Sequence, residues 1–461
     1  MTGVKGRSSA GSRAAWTPAR DGGVSRVAAG VVGALVATAA VGGAAAQEPA
    51  GDVRLGITYQ PGYVPGLVVT PVRSATGLDE VASIATGILR QDLDYSDRFD
   101  IISVPDSLPT DGRPNYGLWN ELGAVWLVTA DVSGSASAPI LRVGLHDVVY
   151  GNLKNVQAFT LPGPDEPGFR MAVHRASDAV VSWATDGDAG IAATRIAFRR
   201  KDENGSSLWI VDSDGENARR IETGAYNVFS PAFSPDGTRL AYQVQDEDGA
   251  YAIVETNLVT SRRRTVSTTR DLIQTPTYSP NGSLAWAETA TSRVQVMLEG
   301  RGAITNVRGD ALNPTFSPDG EWFAYESDVT GEPQVYVQRV AGGSARRISI
   351  YTPNERTNAV APDWSPKGDR IAYAAYNDGN FQIFTVNPDG TDRRMLTSRG
   401  ESQVPSWAPD GRHVVFESRD SRGYALWIID TVTGRSRTLT SGHMDMLPDW
   451  SPSLAAGARS P

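Results

Sequence analysis

The chain reads Pro231-Ala-Phe233-Ser-Pro235 at the first of six copies of one pattern: proline, any residue, an aromatic, a small residue and a second proline. The other copies are Pro276-Thr-Tyr278-Ser-Pro280, Pro314-Thr-Phe316-Ser-Pro318, Pro362-Asp-Trp364-Ser-Pro366, Pro405-Ser-Trp407-Ala-Pro409 and Pro448-Asp-Trp450-Ser-Pro452. Successive aromatics lie 45, 38, 48, 43 and 43 positions apart. Repeats of about 40–50 residues are typical of propeller blades and helical arrays, so this spacing predicts a repeat architecture.

Each copy begins a unit of short strands and turns. The second proline is followed by a turn sequence, as in Pro235-Asp236-Gly237, because proline fixes φ and glycine accepts a positive φ. Three short apolar runs follow, so each unit has four strands. Radial repetition of four-stranded antiparallel sheets is a β-propeller, and we expect the repeated aromatics to pack between its blades.

The two ends of the repeat region complement each other. The first unit, which starts near Arg195, lacks the proline–aromatic strand, and the last copy at 448–452 supplies one. The sequence therefore predicts a six-bladed all-β propeller over residues 191–454, in which the C-terminal strand completes the first blade. Residues 455–461 are expected to form a tail.

Residues 66–190 have a different pattern. A buried strand is predicted at 67–72, and apolar residues at helical spacing predict a helix at 78–93. Further strands are predicted at 99–103, 124–132, 141–147 and 156–161, with helices at 116–122 and 167–183. This order indicates an N-terminal α/β domain ahead of the propeller.

The first 46 residues have the layout of a secretory signal. Five basic residues precede an uncharged stretch rich in alanine, valine and glycine, which ends in three alanines. Small residues at that point favour cleavage after Ala46 over the alternative, an uncleaved membrane anchor. Residues 47–65 are then an extended N-terminal segment. The mature chain is expected to be exported and monomeric, without stable membrane insertion.

Charge and composition exclude several classes of protein. Removing residues 1–46, with five basic and one acidic side chain, leaves 38 basic and 51 acidic side chains and a net charge near −13. Such a balance argues against a nucleic-acid partner, which needs a basic face. The chain has no cysteine, so thiolate metal sites and disulfides are impossible.

Motifs for catalysis or metal binding are missing from the sequence. There is no G-x-S-x-G elbow, P-loop or strand-linked G-x-G-x-x-G. Asp212-Ser-Asp214-Gly215 resembles the start of a calcium loop, but a hairpin turn is the better interpretation. His174 is expected on the polar side of a helix and His413 at the start of a strand, neither with a metal-ligating partner. We therefore expect no enzyme activity, cofactor or metal.

The segments just before the repeats are the candidate binding site. They differ from blade to blade, and in a propeller they converge at one mouth of the central channel. We expect six loops there, at 226–230, 271–275, 308–313, 356–361, 401–404 and 443–447. The candidate partner-binding residues are Asn227, Asp271, Gln274, Asp310, Asn313, Arg356, Asn358, Gln403, Met444 and Asp445.

An exported α/β domain followed by six such blades resembles the TolB family, the periplasmic members of the Tol–Pal envelope system. The resemblance extends from about Val53 to Leu454 and is most specific in the segments 230–242 and 331–336 and in the ending Pro448-Asp-Trp-Ser-Pro-Ser-Leu454. It implies a non-enzymatic protein whose propeller mouth binds Pal, the peptidoglycan-associated outer-membrane lipoprotein. The Pal-binding loops would be those at 271–275 and 308–313.

The same resemblance implies a second partner at the N-terminus. The segment 52–62 would contact TolA, an inner-membrane protein that spans the periplasm, through Val53, Arg54, Leu55 and Ile57. The protein would then couple Pal to TolA for outer-membrane integrity and constriction during division. The alternative is an exported propeller enzyme or glycan-binding propeller, which would need a metal or carboxylate cluster in the channel or an added hydrolase domain.

Overall fold

The computed structural model describes residues 63–104, 113–203, 205–221, 227–350, 357–420 and 423–454. The signal segment, the cleavage predicted after Ala46, the segment predicted to contact TolA and the predicted tail lie outside these residues.

A mixed sheet forms the centre of the α/β domain. Its described strands are β1 (Gly66–Val69), β2 (Arg73–Ser74), β3 (Asp100–Ile101), β4 (Ala124–Ser135), β5 (Ala138–Asp147) and β6 (Asn152–Thr160). The strand order is β3-β1-β4-β5-β6, with β2 beside β4. Strand β1 runs parallel to β3 and β4, whereas β5 is antiparallel to β4 and β6.

Helices α1 (Asp79–Tyr95) and α3 (Phe169–Ala184) cover one face of this sheet, and the short helix α2 (Tyr116–Glu121) packs on the other. Apolar positions of α1, such as Ala85 and Leu89, are fully buried, as helical spacing predicts. The predicted α/β fold is therefore confirmed. Within the described residues, no helix has the length and apolar character needed to cross a membrane.

Six four-stranded antiparallel sheets form the propeller. The closing blade contains β7 (Arg195–Asp202), β8 (Gly205–Asp212), β9 (Arg219–Ile221) and, from the end of the chain, β30 (Met444–Trp450). Blade 1 contains β10 (Asn227–Phe233), β11 (Arg239–Gln245), β12 (Tyr251–Asn257) and β13 (Arg263–Thr269). Blade 2 contains β14 (Ile273–Tyr278), β15 (Leu284–Ala290), β16 (Arg293–Leu298) and β17 (Gly302–Ala303).

The remaining blades follow the same order. Blade 3 contains β18 (Ala311–Phe316), β19 (Trp322–Ser327), β20 (Gln334–Arg339) and β21 (Arg346–Arg347). Blade 4 contains β22 (Ala359–Trp364), β23 (Ile371–Asn377), β24 (Asn380–Val386) and β25 (Arg394–Met395). Blade 5 contains β26 (Glu401–Trp407), β27 (His413–Asp420), β28 (Gly423–Asp430) and β29 (Ser436–Thr438).

The C-terminal strand closes the ring as predicted. Strand β30 pairs antiparallel with β7, and Trp450 lies opposite Ile196. Because the first and last strands of the propeller share one sheet, the closing blade leaves no gap in the ring. The prediction of six blades is confirmed.

The repeated aromatics are buried between blades, as predicted. Phe233 packs against Leu208 and Ile210 of the closing blade as well as Leu240 of its own blade. The exposed fractions of Phe233, Tyr278, Phe316, Trp364, Trp407 and Trp450 are between 5% and 8%. Burial of each large apolar side chain is worth about 1.5–3 kcal/mol, so these residues stabilise every blade interface.

A β-bulge interrupts each innermost strand at the first proline of the repeat. In blade 1, Ser230 and Pro231 together oppose the single residue Tyr242 on β11. Proline fits there because a bulge does not need its missing N–H. The residue before the proline has a positive φ, between 44° and 54°, in all six blades. These six residues are Ser230, Thr275, Asn313, Ala361, Val404 and Leu447.

The residue between the first proline and the aromatic links one blade to the next. In four of the six copies its side-chain oxygen accepts a hydrogen bond from the backbone N–H of the aromatic in the following blade. Four such bonds occur among the described residues: Trp364 N to Thr315 Oγ1 (3.1 Å), Trp407 N to Asp363 Oδ2 (2.7 Å), Trp450 N to Ser406 Oγ (3.0 Å) and Phe233 N to Asp449 Oδ2 (2.7 Å). The variable position between the first proline and the aromatic therefore joins neighbouring blades.

The α/β domain packs on one end of the propeller. Arg412, in the turn between β26 and β27, donates a hydrogen bond to the backbone oxygen of Asp97 at 2.6 Å. Arg435, in the turn between β28 and β29, donates to Asp94 at 3.1 Å. These turns lie where the innermost strands end, so the described residues of the α/β domain contact that end of the propeller and leave the end at which those strands begin uncovered.

Removing one blade-to-blade link should destabilise the ring. Ser406→Ala deletes the oxygen that accepts the Trp450 N–H. Because Trp450 is only 5% exposed, its amide would be left unsatisfied, and we expect the free energy of unfolding to fall by about 1–3 kcal/mol. Urea denaturation measures this free energy, and Ser344→Ala, a change at an exposed serine, is the control. Equal stability of the two variants would contradict the link.

Candidate functional site

A central channel runs between the six innermost strands and has a volume of about 410 Å³. The first proline of every repeat and the positive-φ residue before it line the channel. The bulges therefore direct these residues toward the channel axis. We call the channel end at which the innermost strands begin the mouth.

The segments predicted as loops at the mouth are largely strands. β10 begins at Asn227, β14 at Ile273 and β26 at Glu401, each ahead of the proline. The prediction of loops at 226–230, 271–275, 308–313, 356–361, 401–404 and 443–447 is wrong to that extent. The physical reason is the bulge, which lets a strand continue through a proline that would otherwise end it.

Three of the predicted partner-binding residues line the channel: Gln274, Asn313 and Gln403. The side-chain nitrogen of Asn313 donates to Glu326 Oε2 at 2.7 Å, and that of Gln403 donates to Glu401 Oε1 at 2.8 Å. These amides are thereby held in fixed orientations.

Two further predicted residues are exposed to solvent near the mouth. Asp271 precedes β14, and Met444 begins β30 with 39% of its surface exposed. Their side chains can reach a partner without displacing any part of the fold. Arg356 lies outside the described residues, as do Val53, Arg54, Leu55 and Ile57.

The other predicted residues have structural contacts. Asp445 is fully buried and binds Arg200 through both carboxylate oxygens, at 2.7 and 2.8 Å. Asp310 accepts the Val294 N–H at 2.9 Å. Two amide residues complete this group: Asn227 accepts a bond from the hydroxyl of Ser206 at 3.1 Å, and the backbone oxygen of Asn358 accepts the Tyr376 N–H at 2.8 Å. The buried Oδ1 atom of Asn358 has no hydrogen-bond partner among the described residues.

Two carboxylic acids at the channel were missed by the sequence analysis: Glu326 lines the channel, and Glu417 contacts Leu447, a lining residue. Glu326 Oε2 accepts the N–H of Ala361 at 2.8 Å, and Glu417 Oε2 accepts the N–H of Leu447 at 2.8 Å. Each bond crosses from one blade to the positive-φ residue of the next. The only sequence signal is a polar residue directly after the buried aromatic of the second strand, as in Tyr325-Glu326 and Phe416-Glu417.

Burial raises the pKa of these acids. The pKa of Glu417 is raised to about 7, and burial also raises the pKa of Glu326. Asp363 and Asp449 border the channel space but are surrounded by protein, which raises the pKa of Asp363 to about 6 and the pKa of Asp449 well above its ordinary value. Burial therefore favours the neutral form of Asp363 and Asp449 beside the channel.

Comparison with known proteins identifies this channel-bearing domain. Residues 184–454 match a family model described as the TolB beta propeller domain. The chain belongs to the TolB β-propeller family.

Curated relatives of this TolB-family chain match part of its length. The Tol-Pal system protein TolB of a Polaromonas species is 33% identical over 209 residues, which cover 44% of this chain and 48% of that protein. The Tol-Pal system protein TolB of Bordetella parapertussis is 31% identical over 270 residues, covering 56% and 59% respectively. This chain thus spans about half the length of the curated relatives it matches.

A solved structure has the same fold. The crystal structure of TolB from Acinetobacter baumannii superposes with a TM-score of 0.73, covering 85% of this chain and 98% of that one. The two sequences are 23% identical, so the comparison confirms the architecture alone.

A group of three potential metal ligands lies where the α/β domain of this TolB-family chain meets the propeller: Asp92, His174 and Asp214. His174 Nδ1 contacts Asp92 Oδ2 at 2.8 Å, and its Nε2 lies 3.6 Å from Asp214 Oδ2. The expectation that His174 lies on the polar side of its helix without a carboxylate partner is wrong. It is fully buried because α3 packs between α1 and the turn that follows β8.

The group fits an ion-pair cluster better than a metal site. Ser177 Oγ donates to Asp92 Oδ2 at 2.6 Å, and the Arg170 guanidinium binds Asp214. Burial lowers the pKa of His174, but Asp92, with Asp214 and Asp212, outweighs it and raises the pKa to about 9. The protonated imidazole lies between the two carboxylates as a cation.

A second buried histidine repeats this arrangement. His413 Nδ1 contacts Asp410 Oδ2 at 2.7 Å, and its Nε2 contacts Asp97 Oδ2 of the α/β domain at 3.2 Å. Burial opposes its protonation, but Asp410 and Asp97 raise the pKa of His413 above the ordinary value. The expectation that His413 has no carboxylate partner is therefore also wrong. Both histidines connect the two domains.

The histidine bridge predicts a pH dependence of stability. The pKa of His174 is about 9 in the fold and about 6.5 when unfolded, so its stabilisation is complete below pH 6.5 and is lost as the pH rises to 9. His174→Gln should lower the free energy of unfolding by about 3–5 kcal/mol at pH 6, because it leaves Asp92 unpaired. The difference from the wild type should shrink toward pH 9.

Denaturation from pH 6 to pH 9 tests this, with His443→Gln at an exposed site as the control. A difference that does not change with pH would show that His174 is uncharged in the fold.

Proposed function

We propose that this protein is a non-enzymatic component of a Tol–Pal envelope system that acts in the periplasm. Membership of the TolB β-propeller family supports this, as do relatives named Tol-Pal system protein TolB in Polaromonas and Bordetella. The signal-like first 46 residues support export.

We propose further that the propeller mouth binds Pal, the peptidoglycan-associated lipoprotein. The observation that carries this is the uncovered mouth: the α/β domain contacts the turns at the opposite end. The mouth offers exposed groups, Asp271 and Met444, beside the oriented amides of Asn313 and Gln403. Such a mixture of polar and apolar groups on a rigid scaffold suits a protein partner.

The N-terminal segment would form a separate contact. We propose that residues 52–62, with Val53, Arg54, Leu55 and Ile57, bind TolA as an added strand, because a short extended segment can pair with the edge of a partner's sheet. Two contacts at different places would let one molecule couple Pal to TolA during maintenance and constriction of the outer membrane.

Calorimetry with the host's own Pal tests the mouth. The double variant Asp271→Lys with Gln274→Ala should weaken binding at least tenfold, while the melting temperature stays nearly unchanged because neither side chain is buried. Glu321→Lys is the matched control, since this exposed carboxylate lies in the turn between β18 and β19 at the opposite end. No association of the wild type with Pal would refute this proposal, and equal weakening by the control would show a nonspecific effect of charge.

Deletion of residues 47–62 tests the second contact. The shortened protein should lose binding to the host's TolA and keep its affinity for Pal, because the strands that form the mouth begin at Asn227 and later residues, far along the chain from the deleted segment. Pull-down with each partner separately measures both contacts. Loss of both would contradict two independent sites.

A further inference from the structure

The face of the α/β sheet that α1 and α3 leave open contains a groove with a volume of about 300 Å³. On β5, alternation places Arg142, Gly144 and His146 on this face, because Leu141, Val143 and Leu145 pack against the helices. The groove lies in the α/β domain, away from the propeller channel.

The floor of the groove is rigid and open. His146 Nδ1 contacts the Tyr116 hydroxyl at 3.0 Å and its Nε2 contacts Thr129 Oγ1 at 2.9 Å, which fixes the ring. A Cβ atom at Gly144 would lie 3.2 Å from Leu153 Cδ1 and 3.4 Å from Thr129 Oγ1. A side chain at Gly144 would therefore crowd Leu153 and Thr129 and take up part of the groove.

Apolar residues form one wall of the groove. Leu153 and Val156 on β6 are 47% and 37% exposed, although both are large aliphatic residues. Ile140, on the adjacent strand β5, is 39% exposed. Exposed aliphatic side chains gathered beside a concave surface are typical of an interaction site.

The groove is positively charged in a chain whose net charge is −9. Arg73, Arg113 and Arg142 line it together with one acidic residue, Asp131, which lies 3.7 Å from Arg73. Among the described residues, neither Arg113 nor Arg142 has an ion-pair partner within 4.0 Å, and both are exposed. Two cations are thus free to bind carboxylates.

Strand β6 adds a free edge beside the groove. Within the part of the chain that the structure describes, it pairs with β5 alone, and eight of its nine residues are exposed. Lys154 does not protect this side, because its Nζ binds Asp186 at 2.8 Å and lies over the ring of Trp126, a residue of the helix-covered core. An unprotected edge accepts an additional strand readily.

We propose that this groove and the edge of β6 bind an extended acidic peptide segment of a partner protein. The segment would pair its backbone with β6, place alternate apolar side chains against Leu153 and Val156, and direct carboxylates to Arg113 and Arg142. Charge complementarity selects an acidic segment, and the free strand edge selects an extended one. The site does not depend on the proposed Pal or TolA contacts.

A fluorescein-labelled peptide of three Val-Glu repeats is a direct probe, with fluorescence anisotropy as the measurement. The purified protein should bind it at least tenfold more tightly than a peptide of three Val-Lys repeats. Arg113→Glu with Arg142→Glu should weaken binding of the Val-Glu peptide at least tenfold. Arg301→Glu, at an exposed arginine on the turn before β17, should leave that binding unchanged.

Two competitors separate a strand site from an anion site. A Val-Glu peptide that is N-methylated at alternate residues cannot pair with a strand edge, so it should bind at least tenfold more weakly. Equal binding of the methylated peptide, or full displacement by millimolar glutamate or phosphate, would overturn the proposal in favour of a small-anion site. Equal affinity for the Val-Lys peptide, or none for either, would also overturn it.

The charge-reversal variant should keep the melting temperature and the Pal affinity of the wild type, because both arginines are exposed and lie in the α/β domain. A large fall in melting temperature would assign these arginines to the fold instead. Gly144→Ser is a second test of the site. Its side chain occupies part of the groove without altering the charge, so this variant should also bind the Val-Glu peptide more weakly.

Discussion

The amide groups of the innermost strands impose the constraint on which this propeller depends. Each innermost strand pairs with one neighbour only, so the N–H groups on its other side need acceptors from elsewhere. The preceding blade supplies them through side chains, at the aromatic from residues such as Thr315 and Asp363, and at the bulge from Glu326 and Glu417. The repeated proline fits the same constraint, since it places a residue without an N–H at the point where the ladder is broken.

Because side chains of one blade accept the N–H groups of the next, the same residues both join the blades and face the channel. Three of the carboxylates that join the blades, Glu326, Asp363 and Asp449, also border the channel, and burial raises their pKa values. Side chains near the mouth divide accordingly. Asp445 and Asp310 are engaged by the fold, whereas Asp271 and Met444 extend from it toward solvent. Position next to a repeat is therefore insufficient to mark a residue as available to a partner.

The architecture could be predicted from the sequence because each residue type in the repeat has a known local effect on the backbone or on packing. Proline, glycine and a buried aromatic recur at fixed spacing, and the unmatched strand at 448–452 implies closure. The bulge could not be predicted, because Val404 and Leu447 are residues that rarely adopt a positive φ. The histidine bridges were missed for another reason: Asp92, His174 and Asp214 are far apart in sequence, and only the packing of two helices on the propeller brings them together.

The closing blade can form only when the C-terminal strand is present. Strand β7 gains its inner neighbour only when Met444–Trp450 is present, and Leu454 then packs on Met171 and Ala193 at the junction with the α/β domain. A chain that stops before residue 444 retains an unpaired edge along β7 and leaves Trp450's place beside Ile196 empty. Such an edge invites pairing with other chains and cleavage by proteases. Only a polypeptide that includes Met444–Trp450 can therefore conceal the edge of β7.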